Sequence, residues 1–281
     1  MKIAVASGKG GTGKTTVATN LAYVGSANGR SIAYLDCDVE EPNGSLFLKP
    51  EFGAASSAGI LVPKVDESKC DLCGACGEIC RFSAIAPVGR TVLVFNELCH
   101  GCGGCRLVCP TGAIEEVLHE IGVVRIGSVG SIAFVDGLLN VGQAMSPPVI
   151  KAVKAAAPAA EITIIDCPPG TSCPVIESLR GCDYLLLVTE PTPFGLNDLK
   201  LAAAMAREMR LPFGVVVNRA GLGDRHTDMY CDENDIEILV EIPDDRKIAE
   251  VYSRGQIVSE AIADYRRVFE TLLAKIEFIA S

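Results

Sequence analysis

The stretch Gly8-Lys9-Gly10-Gly11-Thr12-Gly13-Lys14-Thr15-Thr16 constrains this chain more than any other. The apolar run Ile3-Ala4-Val5-Ala6 precedes it, and Val17, Leu21 and Val24 follow at helical spacing. Strand, glycine loop and helix in that order form the context of a phosphate-binding loop. Glycines let backbone N–H groups converge on an anion without side-chain interference. The helix that follows turns its partial positive charge toward the same anion. Lys14 is expected to reach the β- and γ-phosphates of a nucleotide, and the Thr15 hydroxyl to ligate Mg²⁺. A plain glycine turn would require neither the lysine nor the threonine at these positions.

An early lysine, Lys9, opens the loop. Lys9-Gly10-Gly11-Thr12-Gly13-Lys14-Thr15 resembles the deviant Walker A loop, KGGxGKT, of the MinD/ParA-type ATPases. In that family the early lysine reaches across a dimer interface to the partner's nucleotide. The resemblance implies an ATP- and Mg²⁺-dependent ATPase. Two chains would enclose two ATP molecules, either as a homodimer or as a heterodimer with a related ATPase. Gly8, Gly10, Gly11, Thr12, Gly13, Lys14, Thr15 and Thr16 would hold the nucleotide. The fold expected is α/β, a doubly wound, mainly parallel sheet with helices on both faces.

Two apolar runs end in carboxylates. Residues 31–35 lead into Asp36-Cys37-Asp38, and residues 162–165 lead into Asp166-Cys167-Pro168-Pro169-Gly170. Carboxylates at the C-terminal ends of such strands face the crevice where α/β sheets bind ligands. An apolar strand ending in Asp is the Walker B arrangement, so Asp166 is expected to contact Mg²⁺ through water. The family resemblance implies that residues 36–38 are switch I. Asp38 would position the attacking water, and Asp36 would belong to the same hydrogen-bond network. It also implies that Gly170, in switch II, donates its N–H to the γ-phosphate. Asn218 would contact the adenine base, and Pro243 would pack beside it.

A different kind of sequence lies between these halves. Cys70, Cys73, Cys76 and Cys80 repeat in spacing as Cys99, Cys102, Cys105 and Cys109, with Pro110 following. This resembles the bacterial ferredoxin run, twice. Cys70, Cys73, Cys76 and Cys109 are expected to hold one [4Fe-4S] cluster, and Cys99, Cys102, Cys105 and Cys80 the other. Arg81 stands where the first run would carry proline. Zinc is the alternative, and eight cysteines in two identical runs argue against it. The expected organisation is an ATPase domain over 1–62 and 119–281, interrupted by a small α+β ferredoxin-like domain over 63–118.

The remaining cysteines are less informative. Cys173 follows switch II at an interval similar to that of a cluster cysteine in the nitrogenase iron protein. The expectation is nevertheless a small buried residue under the switch, as for Cys37, Cys167, Cys182 and Cys231. Segment 221–235, with His226 and Cys231, reads as a solvated loop. Residues 265–279 carry apolar side chains on one helical face, expected to pack on the sheet rather than on a membrane.

Composition narrows the setting. The formal charge of −10 opposes a broad nucleic-acid surface, so no nucleic-acid partner is expected. No apolar run is long enough for a membrane span, and with a strand from residue 2 no secretory signal is expected. Thirteen cysteines beside an ATP loop fit a reducing cytoplasm and bound iron. Three functions remain in view. The first is an ATPase that couples dimer closure to electron transfer toward a redox or metallocluster protein. The second is a carrier or scaffold for cluster assembly, although the C-terminal Cys-x-x-Cys pair of such carriers is missing. The third is a positioning protein with structural clusters.

Overall fold

The structure, a computed structural model, describes residues 1–280. β1 (Lys2–Ala6) leads through the glycine loop into α1 (Lys14–Ala27), and β2 (Ile32–Asp36) leads to the short α2 (Gly44–Leu48). β3 (Glu51–Val65) runs out to the cysteine segment. That segment holds α3 (Ala75–Ile79), an antiparallel pair β4 (Ile85–Val88) and β5 (Thr91–Val94), and α4 (Gly104–Leu107). β6 (Ile114–Val129) returns and turns into β7 (Ile132–Leu139). There follow α5 (Pro147–Ala155), β8 (Ile162–Asp166), α6 (Cys173–Leu179), β9 (Tyr184–Thr189) and α7 (Pro193–Glu208). The chain ends with β10 (Phe213–Ala220), α8 (His226–Glu233), β11 (Ile238–Pro243), α9 (Arg246–Ser253), α10 (Val258–Ala261) and α11 (Ala263–Ala280).

The strands of the main sheet lie in the order β11-β10-β9-β1-β8-β2-β7-β6-β3. From β11 to β7 every pairing is parallel, whereas β6 and β3 join antiparallel at one edge. Parallel strands are covered on both faces and therefore need continuous apolar runs. β1 alternates between the two cores that result. Ile3 and Val5 pack with Val17 and Leu21 of α1 and Phe269 and Leu272 of α11. Ala4 and Ala6 face Val149 and Val153 of α5 and Leu199 and Ala203 of α7. The expected packing of the C-terminal helix is thus observed. No helix among the described residues is long and apolar enough to cross a membrane.

The edge pair corrects the sequence reading. β3 had no counterpart in the expected strands, and residues 122–126 form only part of β6. The pairing of β3 with β6 runs from Glu51↔Ser128 to Val65↔Ile114, with register shifts at Phe52/Ala54 and Ala58/Gly59. It therefore runs through both expected domain boundaries, at 62/63 and 118/119. β7 pairs with β6 only from Gly122 onward. The rest of the β3–β6 ribbon projects as an arm beyond the C-terminal end of β7, with the cysteine segment at its tip. Apolar alternation is weak in the first half of β3, where Gly53-Ala54-Ala55-Ser56-Ser57 is exposed, and edge strands need little of it. A second correction concerns 221–235, which contains α8 and buries Cys231 completely.

Candidate functional site: a nucleotide cleft and a cysteine tip

The loops after β1, β2, β8, β10 and β11 meet at the C-terminal ends of their strands. They enclose a cleft of ≈ 470 Å³ lined by Gly10, Gly11, Gly13, Lys14, Thr15 and Thr16, with Asp38, Asn218 and Pro243 opposite. The glycine loop needs its glycines. Gly13 has φ 95°, and a Cβ there would collide with the Asn218 amide. The Asn218 Nδ2 donates to the Thr12 carbonyl at 2.8 Å. The side chain expected at adenine thus also ties β10 to the phosphate loop.

Register brings the carboxylates together. Asp36 lies opposite Asp166 on the neighbouring strand, and both are buried. Asp36 accepts hydrogen bonds from the backbone N–H of Gly44 at 2.8 Å and of Asp38 at 3.2 Å. Burial, and then the Asp166 charge, push its carboxyl well above the usual range. Tyr34 donates its hydroxyl to Asp166 Oδ2 at 3.0 Å. Asp166 Oδ1 is buried without a hydrogen-bond partner. Burial raises the Asp166 carboxyl, while the Thr15 hydroxyl and the Lys14 ammonium pull it down. The half-buried Thr15 hydroxyl and an unpartnered carboxylate oxygen beside a lysine suit a hydrated Mg²⁺. Asp38, nearer the solvent, is pushed up to about 6 by burial, against the pull of Lys14.

Two expected contacts are engaged elsewhere. The Gly170 N–H donates to the Ser7 carbonyl at 2.9 Å, so it is not free for a γ-phosphate in this conformation. Lys9 Nζ lies 3.5 Å from Glu190 Oε2 of its own chain. Cys173, expected to be buried, is exposed at the start of α6.

At the tip of the arm the cysteines group crosswise. One cavity is lined by Cys70, Cys73, Cys76 and Cys109, and another by Cys80, Cys99, Cys102 and Cys105. The last cysteine of each run is surrounded by donors. Burial works against the Cys80 thiolate, yet the N–H groups of Phe82, Ala84, Ile85 and Ser83 hold this thiol below its ordinary value. For Cys109 burial is likewise outweighed, by the Thr111 hydroxyl and the N–H groups of Ala113, Thr111 and Ile114. Burial raises Cys76 and Cys105. Among the described residues no group of three or more His, Cys, Asp or Glu is drawn together for a single metal ion. Backbone N–H groups reach sulfur at both runs, from Ala84 to Cys80 at 3.3 Å and from Gly101 to Cys99 at 3.4 Å, an environment that suits thiolate ligands.

The root of the arm is also tied to the loop after β2. The Leu139 N–H donates to the Val39 carbonyl at 2.8 Å, and the next N–H, of Asn140, donates to Ile121 of β6 at 2.8 Å. Arg125 of β6 makes a two-point contact with buried Asp136, at 2.9 and 2.5 Å. Asp136 lies opposite Asp36.

The family described as the CobQ/CobB/MinD/ParA nucleotide binding domain matches residues 3–258. The chain belongs to this family. It is a P-loop ATPase of the MinD/ParA type. An uncharacterized protein of Methanocaldococcus jannaschii is 31% identical over 265 residues, covering 91% of this chain and 90% of its own. An iron-sulfur cluster carrier protein of the same organism is 24% identical, covering 98% and 85%. The fold is similar to that of the Pyrococcus horikoshii septum site-determining protein MinD complexed with Mg-ADP. There the TM-score is 0.62 at 20% identity, with 100% of this chain and 97% of that one covered.

Sequence reading of this ATPase missed two residues of the site, one under the carboxylates and one in the cleft wall. Tyr34 reads as one more apolar strand position, and only register shows its hydroxyl beneath Asp166. Arg219 lines the cleft, and its Nη1 lies 3.0 Å from Glu190 Oε1. Tyr34 carries no sequence signal beyond a mid-strand position, and Arg219 none beyond its place near a strand end.

Proposed function

We propose that this ATPase couples nucleotide-driven closure of a pair of chains to electron transfer through two [4Fe-4S] clusters held at its cysteine tip. The observation that carries this reading is the crosswise grouping of eight cysteines around two cavities, on an arm linked through Asn140 and Leu139 to Val39, the residue after Asp38. Cys70, Cys73, Cys76 and Cys109 would hold one cluster, and Cys80, Cys99, Cys102 and Cys105 the other. When bound, such clusters supply one-electron redox sites.

At the nucleotide, Lys14 and Lys9 neutralise charge on the transferring phosphoryl group. Thr15 and Asp166 would hold Mg²⁺, which would supply positive charge at the phosphates. Asp38 orients the attacking water. Asn218 and Pro243 flank the base. Closure on ATP requires Lys9 to leave Glu190 for the partner chain's nucleotide, and Gly170 to exchange the Ser7 carbonyl for phosphate. The partner chain is a second copy or a related ATPase. Movement of switch I shifts Val39, and through Leu139 and Asn140 it shifts the root of the arm. The tip then presents differently to a redox or metallocluster protein.

The test is an anaerobic redox titration with and without Mg²⁺-ATP, on protein whose iron and sulfide have been counted. About eight of each per chain are expected for two four-iron clusters, with a shift of tens of millivolts on ATP. Two full clusters whose potentials and partner reduction rates both ignore ATP would refute the coupling.

A second reading is cluster delivery, favoured by the similarity to proteins named iron-sulfur cluster carriers. It predicts rapid transfer of labelled iron from the tip to an apo-acceptor. The complete donor shells around Cys80 and Cys109 favour retention instead.

A further inference from the structure

Glu190 sits at the end of β9, next to the phosphate loop, and the cleft chemistry above assigns it no part in catalysis. Its side chain is 10% exposed, against 33% for Lys9 and 52% for Arg219, the two cations that approach it. Lys9 Nζ is 3.5 Å from one carboxylate oxygen and Arg219 Nη1 is 3.0 Å from the other. Oε1 is nonetheless buried without an aligned hydrogen bond. The contacts are therefore attractions between charges rather than directed bonds, and they are easier to exchange.

The three partners are not equally free to move. The Glu190 backbone is anchored. Its carbonyl accepts the Thr192 N–H at 2.8 Å, and the Thr189 hydroxyl donates to the Gly195 carbonyl at 3.0 Å. Gly195 packs so closely on the Glu190 carbonyl that a Cβ there would collide with it. Lys9 stands on the glycine loop. Arg219 has φ 54°, a left-handed backbone uncommon for a side-chain-bearing residue, and it lies where the β10–β11 register slips between Asn218 and Ala220. That bulge turns Arg219 out of the ladder, where it lines the cleft. A buried, backbone-anchored anion thus holds two more exposed cations at the edge of a site built for phosphates.

We propose that Glu190 is an internal anion that occupies Lys9 and Arg219 in the nucleotide-free chain, and that nucleoside polyphosphates bind by competing with it for these two cations. The proposal rests on the nucleotide site of this ATPase. It adds a residue that sets affinity for phosphate without touching the base. Binding exchanges a carboxylate for a phosphate, so the cost falls only on ligands that carry phosphates. A mere structural tie between loop and strand would affect all ligands alike.

The test is Glu190→Gln in the full-length protein, nearly unchanged in shape, with binding measured calorimetrically for Mg²⁺-ATP and for adenosine. ATP is expected to bind about tenfold tighter, which is about 1.4 kcal/mol, and adenosine as in the parent chain. The gain should shrink at high salt, because partly exposed cations are screened. It should also fall severalfold in an Arg219→Met background. If ATP and adenosine shift together, or ATP binds no tighter, the proposal is overturned. Glu190→Asp is the second variant. It shortens the side chain by one methylene and keeps the charge, so an intermediate, phosphate-selective gain is expected if Glu190→Gln does not fold. Failure of the parent chain to bind ATP would instead overturn the nucleotide site itself.

Discussion

The nucleotide cleft and the cysteine tip rise from the same end of one sheet, yet they are held by different forces. The cleft grows chiefly from β1, β2 and β8, whose apolar residues are almost wholly buried between two helical layers. Its loops inherit their positions from that core. The tip has one small cluster of its own, in which Cys76, Ile85 and Ile114 are buried. Around the second cavity Ala84 and Cys99 join the main core through Ile60 and Val62, whereas the first cavity rests on the small cluster. Segments with so little buried apolar surface rarely order themselves without a metal or a cross-link. A site can thus be preorganised by packing, or completed by what it binds.

On the proposed cluster reading, the largest effect should come from removing the iron. Chelation under oxidising conditions is expected to open residues 66–113 to limited proteolysis, while ATP affinity changes by less than about twofold, because the cleft has its own core. Equal loss of both would make tip and cleft one cooperative unit and break the comparison.

Next in size is the converse experiment. Lys14→Ala should lower phosphate release by about 10³-fold, the scale of losing a preorganised charge at a transferring group. The iron content and visible spectrum should stay those of the parent. A spectrum that changes in this variant before any nucleotide is added would show that Lys14 also supports the tip.

The smallest effect sharpens the cleft alone. Burial raises the Asp38 carboxyl to about 6, so the protonated form persists above the usual carboxylate range. The ionised form, which accepts a hydrogen bond from water, is complete only about one unit higher. Hydrolysis should rise as pH passes upward through about 6, falling about tenfold per unit below it. Asp38→Asn should be slow and flat over that range. An unchanged acidic limb in the variant would remove Asp38 from the water-positioning role. For stability the sign is opposite. Folding holds a proton that the unfolded chain releases, so this group's contribution declines as pH rises from about 4 to about 6.

Much of the cleft was legible because its residues sit at strand ends. An apolar run followed by Gly-rich sequence or by Asp marks both the element and its exit. That logic placed Lys14, Thr15, Asp38 and Asp166 around one cleft before any pairing was known. It failed for the first half of β3, where small and polar residues form an edge strand without apolar alternation. It failed for Cys173 as well, because no neighbouring pattern reports whether a helix start faces core or solvent. Residues 221–235 read as polar loop, and they hide α8 because only Thr227 and Cys231 of that helix are buried.

The sequence by itself determined the phosphate loop, the α/β class and the cysteine spacing, since each depends on residues close together along the chain. Tertiary structure alone decided that Asp36, Asp136 and Asp166 stand in register on adjacent strands, that the cysteines group crosswise, and that Glu190 meets Lys9 and Arg219. Those meetings join residues up to about two hundred positions apart. They are set by sheet order and register, which the chain acquires only when its strands pair.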